Sequence, residues 1–351
     1  MDEIAIERFL SLPEEQRKIH NSNCTYRLEG RVPIALPTIQ RSWGKRVSIE
    51  SPVSMFSSYG RTNLNNTPPG PYRFAVKYLS PVLTLGLQAM RVDRCVLAPS
   101  LPFATVLHYH SSAEALVADV VRVGEVTKRP VAVRGLNSLQ HQQELRLLSE
   151  RGFFLIPRAG TNVVVDPAKA AKKHQNARRD LRLIQRYPEL EVTRVNEITA
   201  QEAQTVASFY RRLYIEKYSR ENPDFSAEFI RSSINSGLQA AFLLRHATEG
   251  LVGFTTYYTN ATSLAQPMIG YAMDLRTDYP LYRILMMEIF SEALRSKKSL
   301  LWGAGADRFK AQRGGVRYTD YFCILPRTHG DRLAFKAIRK MMEVIVAPGL
   351  A

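Results

Sequence analysis

Cysteine is scarce. The chain has three, Cys24, Cys95 and Cys323, odd in number and far apart. That argues against a disulfide framework and against a clustered zinc site. Long apolar runs are missing as well, and none approaches the ~20 residues of a membrane-spanning helix. The opening residues Met1-Asp2-Glu3-Ile4 are acidic where a secretory leader is basic, and no apolar core follows them. No leader is therefore predicted, and a cytoplasmic location is expected. His108 and His110 would share one face of a strand, but no acidic or third histidine partner is obvious nearby, so no metal site is assigned. No short-period repeat is present. Acidic residues are few, 32 against 48 Lys and Arg, which leaves a net charge of +16. That imbalance predicts attraction to a polyanion: nucleic acid, an acidic membrane surface or a phosphorylated small molecule.

What is present is the composition of an ordinary globular protein. The 351 residues are 45% apolar and 23% charged, which suits two domains of common size. Residues 1–20 read as a helix, and residues 21–80 as loops with short strands. The Pro- and Asn-rich stretch Asn63–Pro71 reads as a loop. A helix is plausible over Leu79–Arg91, and a strand over Arg94–Ala98. Amphipathic helices follow at Ser112–Glu125 and Ser138–Arg151, with strands at Pro130–Arg134, Phe153–Pro157 and Thr161–Val165. Alternating helices and strands of these lengths point to an α/β or α+β domain with a covered sheet.

The character changes at Asp166-Pro167, a cap followed by a favoured first helical residue. A basic helix over 167–187 is expected there. It carries Lys169, Lys172, Lys173, Arg178, Arg179, Arg182 and Arg186, with Asp180 as its one acid before Glu189. The domain boundary is placed at this point, giving domains 1–165 and 166–351. The second half then reads as helices at Ala200–Arg220 and Ser226–Ser236, and antiparallel strands at Ala241–Arg245 and Val252–Tyr258. A strand at Met268–Met273 and a long helix at Tyr279–Lys297 come next. Strands at Leu300–Trp302 and Tyr321–Leu325 and a terminal helix at Leu333–Val346 complete it.

The richest stretch is Ser299–Gly315, an apolar strand that empties into small residues and then a polar cluster. Asp307, Arg308, Lys310 and Arg313 fall there within seven residues. The element order after residue 200 resembles the GNAT (Gcn5-related N-acetyltransferase) superfamily, and within it the tandem-domain branch of Fem-type aminoacyl transferases and FemAB-like proteins. Three segments carry the likeness. Lys172-Lys173 through Arg178-Arg179-Asp180-Leu181-Arg182 is similar to the basic helix that opens their second domain. Phe209-Tyr210-Arg211-Arg212-Leu213-Tyr214 resembles the helix that follows it. Arg308-Phe309-Lys310 with Arg313-Gly314 resembles the Phe-Lys and Lys-x-x-Arg-Gly patterns after the penultimate strand. The resemblance spans roughly Gly152 to Leu325. It implies an α/β (α+β) architecture of two tandem GNAT-like domains, each a mixed, largely antiparallel sheet flanked by helices.

Acetyl-CoA users of the superfamily carry an Arg/Gln-x-x-Gly-x-Gly/Ala turn that binds the pyrophosphate, and no such turn stands here in the right context. That weighs against a coenzyme A donor. The Fem-type branch commonly takes its acyl group from aminoacyl-tRNA. The implied activity is acyl transfer to an amine with formation of an amide. Its co-substrate would be aminoacyl-tRNA or acyl-CoA, its acceptor an amine-bearing small molecule or peptide, and no resident cofactor is assigned.

Attack of an amine on an activated carbonyl needs an unprotonated amine and a group that holds charge on the carbonyl oxygen. Lys310 is the candidate for the charge, and the resemblance puts the matching Phe-Lys pair at the aminoacyl donor site. Asp307 and Asp274 are the candidate bases, Asp274 because it ends the expected strand Met268–Met273. Phe309, Arg308, Arg313 and Tyr271 are candidate substrate contacts. Arg313 would hold a phosphate or carboxylate, or else form an ion pair with Asp307 or Asp320. Lys172, Lys173, Arg178, Arg179 and Arg182 are candidate nucleic-acid contacts, or else a solvated face. The competing function is a non-catalytic module that holds RNA or an acidic partner on a degenerate GNAT fold.

Overall fold

The computed structural model describes residues 9, 11–19, 24–29, 32–37, 39–42, 45–48, 96–97, 112–218, 224–260, 262–303 and 305–346. The expected loop at 63–71, the helix at 79–91, and His108 and His110 lie outside them. Among the described residues the chain runs through α1 (Glu14–Ile19), β1 (Cys24–Glu29), β2 (Val32–Pro37), β3 (Ile39–Ser42), β4 (Lys45–Ser48) and β5 (Val96–Leu97). It continues with α2 (Ala113–Thr127), β6 (Val131–Asn137), α3 (Gln142–Glu150), β7 (Phe154–Val164), α4 (Pro167–Lys173), α5 (Gln175–Asp180) and β8 (Leu190–Val195). The later elements are α6 (Ala200–Tyr210), α7 (Ala227–Asn235), β9 (Ala240–His246), β10 (Gly250–Thr259), β11 (Ser263–Ala265) and β12 (Ile269–Tyr271). Then come α8 (Leu281–Ser296), β13 (Ser299–Gly303), α9 (Asp307–Ala311), β14 (Val316–Leu325) and α10 (His329–Val346). No helix among the described residues is long and apolar enough to cross a membrane.

The residues divide into two compact units. One draws on Asn21–Gly160, Tyr218–Pro223 and Tyr318–Ala351; the other on Met1–His20, Thr161–Lys217 and Asp224–Arg317. One boundary lies within β7, between Gly160 and Thr161. Residues up to His20 group with the later unit and the chain from Tyr318 with the earlier one, whereas a single cut at 166 assigns them the other way round.

In the earlier unit β1 pairs β2, β2 pairs β5 and β6 pairs β14, all antiparallel, while β5 and β6 are parallel. Helix α2 forms because Ser112 accepts a hydrogen bond from the Ala115 amide at 3.1 Å, satisfying one of the free donors of the first turn. Leu116, Val120 and Val123 then fall on one face and pack with Val131, Val133 and the free Cys323. Helix α3 starts later than expected because Asn137 Oδ1 accepts from the amides of Leu139 and Gln140, at 3.0 and 2.8 Å, and holds a turn first.

In the later unit β8, β9 and β10 are an antiparallel run. Strand β10 also pairs antiparallel with β11 and β12. Strand β11 pairs parallel with β13, and β13 antiparallel with β7. Helix α6 opens on a capping box, Thr199 with Glu202, and continues as a π-helical segment over Arg211–Tyr218. The core lies under α8, where Leu281, Ile284, Leu285, Ile289 and Phe290 meet Leu244, Val252, Leu300 and Trp302. Each such side chain contributes roughly 1.5–3 kcal/mol by leaving water.

The expected single basic helix over 167–187 is two helices, α4 and α5, broken at an extended His174. Another part of the chain packs against the break. Gly314, at φ +89°, packs so tightly that an added Cβ would lie 2.6 Å from the Ala170 Cβ and 3.2 Å from the His174 ring. The strands expected at 153–157 and 161–165 are one strand, β7, which runs through Pro157 and Gly160.

Candidate functional site

A split in the sheet of the later unit positions the site. Strands β11 and β13 pair over only three residues, ending at Ala265 and Leu301. Gln266 then donates its amide to the Leu301 carbonyl at 3.0 Å. Beyond that, the chain turns into β12, which pairs with β10. The turn is locked by Thr255, whose hydroxyl donates to the Met268 carbonyl at 3.1 Å and accepts from Gln266 Nε2 at 2.7 Å. On the other side of β13 the register with β7 shifts between Leu301 and Gly303. A bulge of this kind re-aims side chains and ends pairing.

Trp302 is the residue at this shift. It is buried between Phe290 and Phe309, with ring centroids 5.6 and 6.3 Å away. Its indole Nε1–H is shut off from water with no acceptor among the described residues. Tyr282 meets Phe309 edge-on at 5.3 Å, and Tyr271 lies 6.3 Å from Tyr282, so an aromatic series leads from β12 to α9.

The turn after β13 is the five-residue helix α9 rather than a solvated loop. Lys310 lies in it with only 3% of its surface exposed. Its ammonium donates to the carbonyls of Trp302 and Gly303, at 2.8 and 3.0 Å. Those carbonyls point out of the shifted end of β13. Burial pulls the Lys310 pKa down to about 7, and the carboxylate of Asp307 acts in the opposite direction. Asp307 accepts from Asn162 Nδ2 at 2.7 Å and lies 3.5 Å from an Arg317 guanidinium nitrogen. Asn162 also donates to the Gly303 carbonyl at 3.3 Å. Lys310, Asp307, Asn162 and the end of β13 are thus one connected unit.

Arg313 follows one turn later. It is also buried, and it does not hold either of the carboxylates that the sequence offered. Its Nε donates to Asp180 at 3.0 Å, a second guanidinium nitrogen bonds the same carboxylate, and Nη1 donates to the Phe309 carbonyl at 2.7 Å. Its guanidinium carbon stands 3.6 Å from the centre of the Phe309 ring, a cation–π arrangement. Of the two expected arrangements, the ion pair is the one present, with Asp180 as the partner in place of Asp307 or Asp320. Asp180 also accepts from Arg179 Nε at 3.0 Å and from Arg283 at 2.6 Å. Burial alone would raise the Asp180 pKa. The hydrogen bonds from Arg283, Arg313 and Arg179 outweigh it and hold the carboxyl down to about 2.

Asp274 is placed elsewhere. It does not end a strand but sits in the 3-10 turn Met273–Leu275, largely exposed. Both of its oxygens accept from Arg212, at 3.0 and 2.9 Å, and that pairing lowers its pKa. Its carboxylate is thus engaged with Arg212 at the surface. Arg308 is exposed, and Phe309 is half-buried. Of the basic residues, Lys172, Lys173, Arg178 and Arg182 are exposed on and after α4 and α5. Arg179 turns back to Asp180.

The members that sequence reasoning missed are Asn162, Arg283, Tyr282 and Arg317, together with the role of Asp180. Two left a signal. Asp180 is a lone acid among seven cations, and Arg283 interrupts the apolar run of α8. No cluster of His, Cys, Asp and Glu among the described residues could hold a metal ion.

No protein-family model matches the sequence, and no curated protein matches it. Among solved structures the chain is similar to FemX, at 11% identity over 95% of this chain and 98% of that one, with a TM-score of 0.53. It is also similar to the C-terminal domain (DUF2156) of a putative lysylphosphatidylglycerol synthetase from Agrobacterium fabrum. That match has 11% identity over 97% of this chain and 96% of that one, with a TM-score of 0.53. Likeness at this identity shows the fold alone, a mixed α/β fold shared with FemX and with that synthetase domain.

Proposed function

We propose that this protein is a GNAT-type acyltransferase that joins an acyl or aminoacyl group to an amine. The donor would be aminoacyl-tRNA or an acyl-CoA, and the acceptor an amine-bearing small molecule or peptide. The observation that carries the reading is the buried Lys310 at the split end of β13, tied to the Trp302 and Gly303 carbonyls beside an aromatic wall. A cation in so dry a setting acts through a low effective dielectric, where its charge counts for more than in water.

The reaction forms a C–N bond between the acceptor amine and the donor carbonyl carbon. The C–O bond of an ester or the C–S bond of a thioester breaks, and the hydroxyl or thiol departs with a proton. Charge gathers on the carbonyl oxygen in between. Lys310 would steady that charge, directly or through the strand end that it braces. Asp307, half-exposed and oriented by Asn162, would receive the proton of the attacking amine. Phe309, Tyr271 and Arg308 would border the substrate. Exposed Lys172, Lys173, Arg178 and Arg182 would meet the phosphates of a tRNA donor.

Those same exposed cations favour a second reading, a non-catalytic protein that holds RNA or an acidic partner. Substitution of Lys310 separates the two. Under the first reading, Lys310→Ala lowers transfer from charged tRNA or acyl-CoA by roughly 100- to 1,000-fold while RNA binding persists. Transfer that equals wild type in this variant would overturn the assignment. RNase added from the outset decides the donor: transfer that survives it excludes tRNA.

A further inference from the structure

The charges around Asp180 do not balance. Three guanidinium groups, Arg179, Arg283 and Arg313, bond one carboxylate, which leaves an excess of two positive charges at one point of the fold. The carboxylate is fully buried, and Arg313 nearly so. Like charges in this position oppose one another. Arg283 and Arg179 both act to lower the Arg313 pKa, after burial as the largest cause and against the favourable pull of Asp180. Arg179 and Arg283 keep part of their side chains at the surface, 49% and 36%. Those exposed parts are what an anion can reach, while the buried parts stay fixed on Asp180.

We infer that Arg283 and Arg179, braced by Asp180, form a binding site for a phosphate group of the ligand. A phosphate carries up to two negative charges, which match the local excess. Its oxygens also suit the planar fork of a guanidinium, which can bond two of them at once. Phosphodiesters of an RNA and the phosphates of coenzyme A present the same chemistry. The site follows from charge and geometry and does not rest on the acyltransferase reading.

The test titrates the full-length protein with inorganic pyrophosphate, coenzyme A and a fluorescently labelled RNA, at several salt concentrations. Arg283→Gln is expected to weaken binding about five- to tenfold and to reduce the salt slope for RNA by about one. Arg283→Lys should restore the slope but not the affinity, because an ammonium lacks the planar fork. Loss with pyrophosphate and coenzyme A alone assigns the site to the small molecule, and loss with RNA alone assigns it to the nucleic acid. Should Arg283→Gln fail to fold, Arg179→Gln carries the same comparison on a more exposed side chain. Binding of all three ligands with wild-type affinity and slope in the substituted protein overturns the proposal. Transfer activity is measured separately, so a failed phosphate site and a failed acyltransferase assignment give different results.

Discussion

Lys310 and Arg313 are buried cations three residues apart, and the fold treats them in opposite ways. Arg313 is given a full counter-charge, the carboxylate of Asp180, and a carbonyl besides. Lys310 instead donates to two neutral groups, the carbonyls of Trp302 and Gly303. The guanidinium stays charged in either setting, so its burial is tolerable only with an anion beside it. The ammonium can shed its proton, and burial draws its pKa down to about 7. One turn of chain therefore holds a fixed charge that builds the structure and an adjustable charge suited to chemistry. Perturbed groups of the second kind gather at functional sites.

The strongest way to break this contrast is to remove the fixed anion. Asp180→Asn leaves three guanidiniums facing a neutral amide. A buried pair that loses one partner costs about 3–5 kcal/mol, measured by urea unfolding near neutral pH. The acid limb offers an independent check. The folded-state pKa of Asp180 is held down to about 2 from an ordinary 3.8. Its contribution is therefore present above pH 4 and is lost as pH falls toward 2. Wild type should lose stability across that window more steeply than Asp180→Asn. Equal slopes would show that the guanidiniums do not stabilise the carboxylate.

The adjustable cation gives a smaller effect at the other end of the scale. An unfolded chain keeps the Lys310 proton up to its ordinary pKa of 10.5, while the folded chain releases it near 7. Between those values the unfolded state binds more protons, so this residue makes stability rise with pH. From pH 7 to 8.5, wild type should gain about 1.5–2 kcal/mol relative to Lys310→Met. Cys323, which burial pushes up, does not interfere below its ordinary thiol range. Parallel curves for the two proteins would place the ammonium in the protonated state throughout and remove the distinction between the two cations.

Much of this was legible in the sequence, and what was hidden has a common cause. Apolar spacing located α7 within one residue at each end, and it located the hairpin of β9 and β10. The polar run after β13 was singled out correctly as the place where charged side chains crowd. What it lacked was the partner list. The carboxylate that Arg313 holds lies 133 positions earlier, and Arg283 lies 103 positions from the same carboxylate. No local period encodes such pairs. The basic segment shows a related contrast: its composition favours one long helix, but it is interrupted at His174, where the distant Gly314 packs against it. The strand expected to run to Met273 ends at Tyr271, and Asp274 stands in the 3-10 turn that follows.

Arg212 and Asp274 provide the exposed counterpart of the Arg313 pair and the smallest expected effect. Their geometry is good, with two hydrogen bonds at 3.0 and 2.9 Å. If geometry alone set the energy, this pair would rival the buried one. Water screens it, however, and its two side chains lose rotamer freedom when they pair. A double-mutant cycle of Arg212→Ala with Asp274→Ala should give a coupling far below that of the buried Asp180 pairs, shrinking as salt is added. The single substitutions should leave unfolding midpoints close to wild type. A coupling near that of the Asp180 hub would mean that burial is not what separates the two ion pairs, and the role assigned to Asp180 as the structural anchor of the site would have to be argued from its three partners alone.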